Sequence, residues 1–234
     1  PSLLVEAVRH PDRWLRYTAL QAIVKLDSRQ PYPGSSFVLE ALAYFAGSYG
    51  TPRVLTGDGI ASRSQSWGGM LGNLGFTSDR ASSGKDPFRM AARNPDYEFI
   101  LIGDTTYNPG VVDTVSLPRK DPRTANIPTG VGTDVNERGV GARLVAIDDR
   151  AHLLIHPHDV DSMVIQVRAL LEMAAEHPVT RSDRLSQAQF ALETMARFAA
   201  NPVDYGYYDV SRHQQVLIAA LFKPRLAKHA APAL

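Results

Sequence analysis

The stretch YEFILIGDTTYNPG, residues 97–110, decides the fold prediction for this chain. Residues 99–102 are four consecutive apolar residues, which is typical of a buried strand. The run passes directly into Gly103 and Asp104 and then into a Pro-Gly turn, so a carboxylate follows the strand. Sheets of buried parallel strands bind their ligands at the carboxyl ends of the strands. The stretch therefore predicts an α/β fold with Asp104 at its ligand-binding edge.

Short β-rich runs and helical stretches alternate on both sides of this stretch, which favours consecutive β-α units. The predicted strands are 53–56, 77–81, 99–102, 127–131 and 151–155, and the predicted helices are 62–74, 86–93, 110–120, 134–147 and 159–176. Parallel strands need crossover connections, and such crossovers are right-handed almost without exception. We therefore expect a five-stranded parallel sheet sandwiched between helices.

The regions before and after these units have the apolar spacing of helices. One helix break lies at His10-Pro11-Asp12, where Pro11 ends one helix and Asp12 is placed to cap the next. Helical spacing returns over 185–200, and "AALFKPRLAKHA" repeats the helix, x-Pro, helix punctuation of "AVRHPDRWLRYTA". The sequence predicts a helical segment over 1–50, an α/β domain over 51–176 and a helical segment over 177–234.

Composition and charge disfavour several classes of function. The chain has 25 Lys and Arg against 24 Asp and Glu, a net charge of +1, so no field of one sign attracts nucleic acid or anionic lipid. No run approaches the roughly 18 to 20 consecutive apolar residues of a membrane span. The absence of cysteine excludes disulfides and thiol nucleophiles and fits the cytoplasm. Because the chain starts at Pro1 inside a predicted helix, we expect a fragment of a longer protein, from which a signal peptide could have been removed.

Two resemblances follow from these patterns. Residues 52–176 resemble a response-regulator receiver domain in strand order, in helix lengths and in the residues at strand ends, which implies a receiver-like (flavodoxin-like) sandwich. In that family, acidic residues after the first strand hold a divalent cation and an Asp after the third strand accepts a phosphoryl group. A Thr or Ser after the fourth strand and a Lys after the fifth contact the phosphate. The motif HPDRWLRYTALQAIVKLD, residues 10–27, resembles one unit of a HEAT-like helical repeat.

The family's site residues carry over to this chain only in part. Asp104 lies at or one residue beyond the acceptor position, which Gly103 would otherwise hold, and Thr133 matches the hydroxyl position. Asp58 stands alone where the family has an acidic pair, and His156 stands where the family has the Lys. The resemblance therefore implies a site with one cation ligand and the permanent positive charge missing.

These departures predict a degenerate receiver. Mg²⁺ dehydrates reluctantly and is held by few carboxylates, so the loss of one should weaken its binding. A His with an ordinary pKa near 6.5 is mostly neutral at pH 7, whereas a Lys is charged. By analogy with an oxyanion donor, each lost charge costs about two to three orders of magnitude in rate. We therefore expect Asp104, Asp58, Thr133 and His156 to form a vestigial phospho-site with no catalytic role, no metal and no other cofactor.

Three functions remain open from the sequence. The first is a non-catalytic interaction or regulatory scaffold module with unidentified protein partners, able to self-associate through the face formed by 134–176. The second is a working phospho-receiver of a two-component system, with Asp104 as acceptor and Asp58 and Asp104 as ligands of Mg²⁺. The third is a small-molecule-binding domain or enzyme that uses the same crevice.

Each candidate residue also has a purely structural interpretation. Asp58 and Asp104 belong to a residue type that often stabilises turns through its side-chain oxygens. His156 and His158 with Asp159 form a candidate metal group, but the intervening Pro and the position of Asp159 at a helix start favour a helix cap.

Overall fold

The computed structural model describes residues 2–134, 136, 139, 142, 143, 146, 148–173 and 178–234. The helices are α1 (Leu3–Ala7), α2 (Arg13–Leu26), α3 (Ser35–Ala46), α4 (Ala61–Asn73), α5 (Asp86–Ala91), α6 (Val111–Ser116), α7 (Val160–Glu172), α8 (Arg181–Ala200), α9 (Pro202–Tyr205), α10 (Gln214–Leu221) and α11 (Ala227–Ala230). The strands are β1 (Arg53–Gly57), β2 (Thr77–Ala81), β3 (Tyr97–Gly103), β4 (Thr129–Thr133) and β5 (Ala151–Ile155). Short three-ten helices lie at Leu117–Lys120, Val210–His213 and Ala231–Ala233.

The chain forms two compact units. One consists of Pro1–Gly50, Arg93–Pro95 and Val179–Leu234, and the other of Thr51–Ala92 and Asp96–Pro178. Within the described residues, none of the helices combines the length and apolar character needed to cross a bilayer.

The first unit is helical, and the segments before and after the α/β region share its core. α2 begins at Asp12, whose side chain accepts a hydrogen bond from the backbone N–H of Leu15, as the helix break in the sequence predicts. α8 begins with a capping box between Thr180 and Asp183. Helices α2, α3 and α8 contribute the central side chains of its core, among them Leu20, Leu42, Phe45, Leu192 and Met195, and the shorter helices at both ends add further buried residues. Apolar stripes from distant parts of the sequence therefore bury one another.

The second unit is a five-stranded parallel sheet with the order β2-β1-β3-β4-β5. Successive residues of β3 face opposite layers of helices, which explains why that strand is continuously apolar. Ile100 and Ile102 pack with Val115 of α6 on one side, and Phe99 and Leu101 pack with helices α4 and α7 on the other. The sheet order and the two helix layers confirm the predicted receiver-like α/β fold.

The main differences from the predicted boundaries lie at β4 and α6. β4 begins and ends two residues later than the predicted strand 127–131. α6 covers only part of the predicted helix 110–120 and gives way to the three-ten helix Leu117–Lys120, because Pro118 cannot donate the next helical hydrogen bond. Most of the predicted helix 134–147 and the last residues of the predicted helix 159–176 lie outside the described residues.

The chain order places a crevice at the carboxyl end of the sheet. After β1 the chain adds β2 on one side, and then β3 on the other, so the loops that follow β1 and β3 diverge. Asp58 follows β1 and Asp104 follows β3, which puts both aspartates at the mouth of this crevice.

Candidate functional site

Backbone hydrogen bonds that extend the sheet pairing align the predicted site residues at the carboxyl end of the sheet. The backbone N–H of Asp104 donates to the carbonyl of Gly132 at 2.9 Å, and that of His156 donates to the carbonyl of Thr133 at 3.1 Å. These bonds continue the pairing of β3 with β4 and of β4 with β5 beyond the ends of the strands. Asp104, Thr133 and His156 therefore lie side by side along one edge.

Arg63, which belongs to none of the sequence motifs, joins the two aspartates. Its Nη1 atom lies 3.1 Å from Oδ2 of Asp58 and 3.5 Å from Oδ1 of Asp104. The side chain of Asp58 is fully buried, that of Asp104 is 12 % exposed and that of Arg63 is 23 % exposed. Solvent and salt screen such partly buried pairs much less than surface pairs. One guanidinium therefore balances half of the negative charge of the pair.

The Asp58 carboxylate is held by further bonds. Its Oδ1 atom accepts a hydrogen bond from the Thr105 hydroxyl at 2.6 Å and another from the backbone N–H of Ile60 at 2.7 Å. The second bond is the side-chain turn that the structural interpretation of Asp58 predicts. A Cβ atom added at Gly103 would lie 1.7 Å from Oδ2 of Asp58, so only a glycine leaves room for this carboxylate. The Asp58 carboxylate thus occupies the space that a side chain at residue 103 would need.

His156 is a buried, neutral neighbour of this cluster. Its ring packs against Trp67 with the centroids 5.5 Å apart, and its Nε2 atom lies 3.6 Å from Oδ1 of Asp104. Within the part of the chain that the structure describes, neither ring nitrogen has a hydrogen-bond partner. Burial, and then the positive charge of Arg63, lower the pKa of His156, while the negative charge of Asp104 opposes the shift. The imidazole therefore adds no positive charge at neutral pH.

Thr133 lies at the same edge but outside the cluster. It is buried, and its hydroxyl donates to the backbone carbonyl of Asp134 at 3.2 Å. Among the described residues, no hydrogen bond joins its hydroxyl to Asp58, Asp104 or His156. Arg63 therefore joins Asp58 to Asp104, and His156 lies next to Asp104. The Thr133 hydroxyl lies beside this cluster and takes no part in it.

An open cleft of about 320 Å³ lies next to Arg63 and His156. One wall is the first half of α4, including Ser62, Ser66 and Trp67, and the other follows β5. Asp134 also borders this cleft. Arg63 therefore separates the aspartate pair from a solvent-accessible space.

The residues present do not fit a divalent cation between the two aspartates. A guanidinium nitrogen already lies at ion-pair distance from both carboxylates, and Oδ1 of Asp58 accepts two other hydrogen bonds. Within the described ranges, no group of three or more His, Asp or Glu side chains could hold a metal ion.

Asp159, the acidic member of the candidate metal group with His156 and His158, forms a capping box with Ser162 at the start of α7. This contact confirms the helix-cap interpretation of that aspartate.

A sequence signal for Arg63 does exist. Residue 63 is the third residue of α4, the helix that follows β1, and side chains in a helix point back toward its amino end. A basic residue in the first turn after an Asp-Gly turn can therefore reach back to the strand end. Motifs for phosphoryl and metal chemistry are defined by carboxylates, and for that reason Arg63 is missed.

Comparison with known proteins gives matches in structure alone. No family model and no curated protein matches the chain. The receiver domain of response regulator 1452 from Francisella is 20% identical, covers 52% of this chain and 97% of its own, and has a TM-score of 0.44. A putative response regulator from Chloroflexus aurantiacus is 16% identical, with 52% and 98% covered and a TM-score of 0.47.

A third solved structure is the receiver domain of a sensor histidine kinase from Pseudomonas aeruginosa, which has a magnesium ion coordinated in its active site cleft. It is 15% identical, covers 52% of this chain and 98% of its own, and has a TM-score of 0.46. These matches span about half of the chain. The sheet order given above defines that half as a receiver-like α/β sandwich.

Proposed function

We propose that this chain is a non-catalytic protein-interaction or regulatory scaffold module built on a degenerate receiver-like domain. The observation that carries the proposal is the ion pairing of Arg63 with both Asp58 and Asp104. A carboxylate that accepts a phosphoryl group must approach phosphorus while cations neutralise the phosphoryl oxygens. Here the only cation at the carboxylates among the described side chains is Arg63, and the carboxylates themselves already neutralise it.

Counting charges supports this proposal. Two carboxylates, one guanidinium and a neutral imidazole give the cluster a net charge of −1. Transfer of a phosphoryl group to Asp104 would add negative charge to a site that is already negative. A unit charge about 4 Å away is worth about 4 kcal/mol at an effective dielectric constant of 20. Without the metal cation and the Lys of the receiver family, the site therefore lacks a large electrostatic stabilisation of the phosphoryl group. The uncharged hydroxyl of Thr133 cannot replace it.

The helical unit supplies the second part of the proposal. We propose that α2, α3 and α8 are HEAT-like helices that present a surface to a partner protein. Asp12 caps α2 at the turn, as in the repeat motif. Arg16, the basic residue of the motif, is buried with its guanidinium carbon 5.1 Å from the ring centroid of Tyr44. These contacts support a stacking role for the motif.

Phosphoryl transfer tests the proposal directly. The protein is incubated with Mg²⁺ and acetyl phosphate, or with a beryllofluoride mimic, and its intact mass and thermal midpoint are measured. We expect no added phosphoryl mass and no shift of the midpoint. A single added phosphoryl group that is absent in Asp104→Asn and retained in Asp113→Asn, a change at an exposed aspartate of α6, would overturn the proposal.

A further inference from the structure

The Arg63 cluster has the layout of a cation site whose cation is a side chain. Asp58 and Asp104 follow neighbouring strands, and a single nitrogen of Arg63 lies within 3.5 Å of an oxygen from each. The two carboxylates would repel each other without a positive charge between them. The guanidinium therefore links the loop after β1 to the loop after β3.

We propose that Arg63 is a permanent internal counterion, which holds the loops after β1 and β3 in one arrangement and excludes divalent cations from the Asp58–Asp104 pair. This role rests on the proposed function and deepens it, because it identifies Arg63 as the group that keeps the site in a single, cation-free arrangement. The presented surface is then constitutive: neither Mg²⁺ nor a phosphoryl donor changes it.

The contacts of Asp58 show why exclusion depends on Arg63 alone. The Oδ1 atom of Asp58 accepts from Thr105 and Ile60, but Oδ2 faces Nη1 of Arg63 and the space above Gly103. Removal of the guanidinium leaves one oxygen of each aspartate without its cation. Among the described residues, His156 is the nearest remaining basic group to Asp104, and it is neutral.

The cleft gives a cation access once the guanidinium is gone. Arg63 lines the cleft of about 320 Å³, so truncation of its side chain opens the aspartate pair toward this cleft. Mg²⁺ and Mn²⁺ are commonly held by one or two carboxylates together with several waters. The pair would then have a net charge of −2, which a divalent cation neutralises completely. We therefore expect Arg63→Ala to create a divalent-cation site that the native chain lacks.

The experiment measures Mn²⁺ binding to the full chain by calorimetry and by the thermal midpoint. We expect Arg63→Ala to bind Mn²⁺ at least about tenfold more tightly than the native protein, because one nearby like charge is removed. Its midpoint should rise with Mn²⁺, whereas the native midpoint should not change. Arg89→Ala, which removes an exposed arginine of α5, is the matched control and should behave like the native protein.

Two further variants locate the site. Asp58→Asn in the Arg63→Ala background should abolish Mn²⁺ binding, because one carboxylate ligand is lost. Arg63→Lys keeps a positive charge and should bind Mn²⁺ no better than the native protein. If Arg63→Ala is unfolded without divalent cation, addition of Mn²⁺ should restore its folded circular dichroism spectrum.

The outcomes separate this inference from the proposed function. A folded Arg63→Ala variant that does not bind Mn²⁺, an unfolded one that Mn²⁺ does not rescue, or a native protein that binds Mn²⁺ equally well would refute the counterion role. Stable phosphorylation of the native protein at Asp104 would instead overturn the proposed function. The two failures are therefore observed in different variants and by different measurements.

Discussion

Gly103→Ala is the substitution that tests the packing of the site most sharply. An ideal Cβ atom at residue 103 would lie 1.7 Å from Oδ2 of Asp58 and 2.5 Å from its Cγ. The buried carboxylate would have to move away, which breaks its ion pair with Arg63 and its hydrogen bonds from Ile60 and Thr105. We expect the free energy of unfolding of the α/β unit to fall by about 2–4 kcal/mol.

The magnitude follows from three contributions. Overpacking of a filled site costs about 1–3 kcal/mol. Loss of hydrogen bonds to a charged group costs about 1.5–3 kcal/mol each, although the expelled carboxylate recovers part of this from water. The reduced entropy of the unfolded chain, which favours Ala over Gly by about 0.4–1 kcal/mol, offsets only a small part.

The assay is a double-mutant cycle in urea, with Trp67 fluorescence as the probe in a Trp14→Phe background. Asp58→Ala removes the carboxylate that collides with the new methyl group, so the double variant should be more stable than the sum of the single effects by about 1–3 kcal/mol. Gly72→Ala, at a position in α4 where the added Cβ meets nothing within 4 Å apart from the adjacent residues and the backbone of its own helix, should be stabilising by about 0.5–1 kcal/mol. Additive effects of Gly103→Ala and Asp58→Ala would refute the steric argument.

Two further predictions concern buried cationic or titrating side chains. Because burial and the charge of Arg63 lower the pKa of His156 in the folded state, with Asp104 opposing, the proton prefers the unfolded chain, and stability is lost as the pH falls below about 6.5. The native protein should therefore lose more urea stability between pH 7 and pH 5 than His156→Phe does, and equal losses would contradict this. The ammonium of Lys223 donates to three backbone carbonyls at the end of α3, so Lys223→Met should reduce the unfolding free energy by about 1.5–3 kcal/mol. Lys228→Met, at an exposed position, should change it by less than about 0.5 kcal/mol, and a similar loss in both would rule out the buried contacts as the cause.

The sequence predicts the α/β fold well because β3 is apolar at successive positions, a pattern that a strand covered on both faces requires. It misplaces β4 because two of that strand's residues, Gly130 and Gly132, carry no apolar signal. Glycine is required at both positions by packing against residues that are distant in sequence. A Cβ at residue 130 would lie 2.5 Å from Leu154, and one at residue 132 would lie 2.9 Å from Trp67. Such close approaches are not visible in a local pattern.

The site likewise contains residues that the sequence locates and one that it does not. Strand ends are predictable, and so the sequence places Asp58, Asp104 and His156 at one edge of the sheet. The role of Arg63 is not predictable from those signals, because it depends on the direction of a long side chain between two loops. Likewise, helical spacing shows that α3 and α8 each have an apolar stripe but does not show that these stripes meet.

The shared core of α2, α3 and α8 has a consequence for biosynthesis. The ribosome makes α2 and α3 first, then the whole of the α/β unit, and only then α8. Leu20 and Leu42, which α8 helps to bury, are therefore exposed to solvent until α8 has been synthesised. Domains tend to complete folding in the order of their synthesis, but here the parallel sheet can finish before the helices that precede it. Nascent α2 and α3 are thus the segments for which a chaperone that binds apolar helices would matter most.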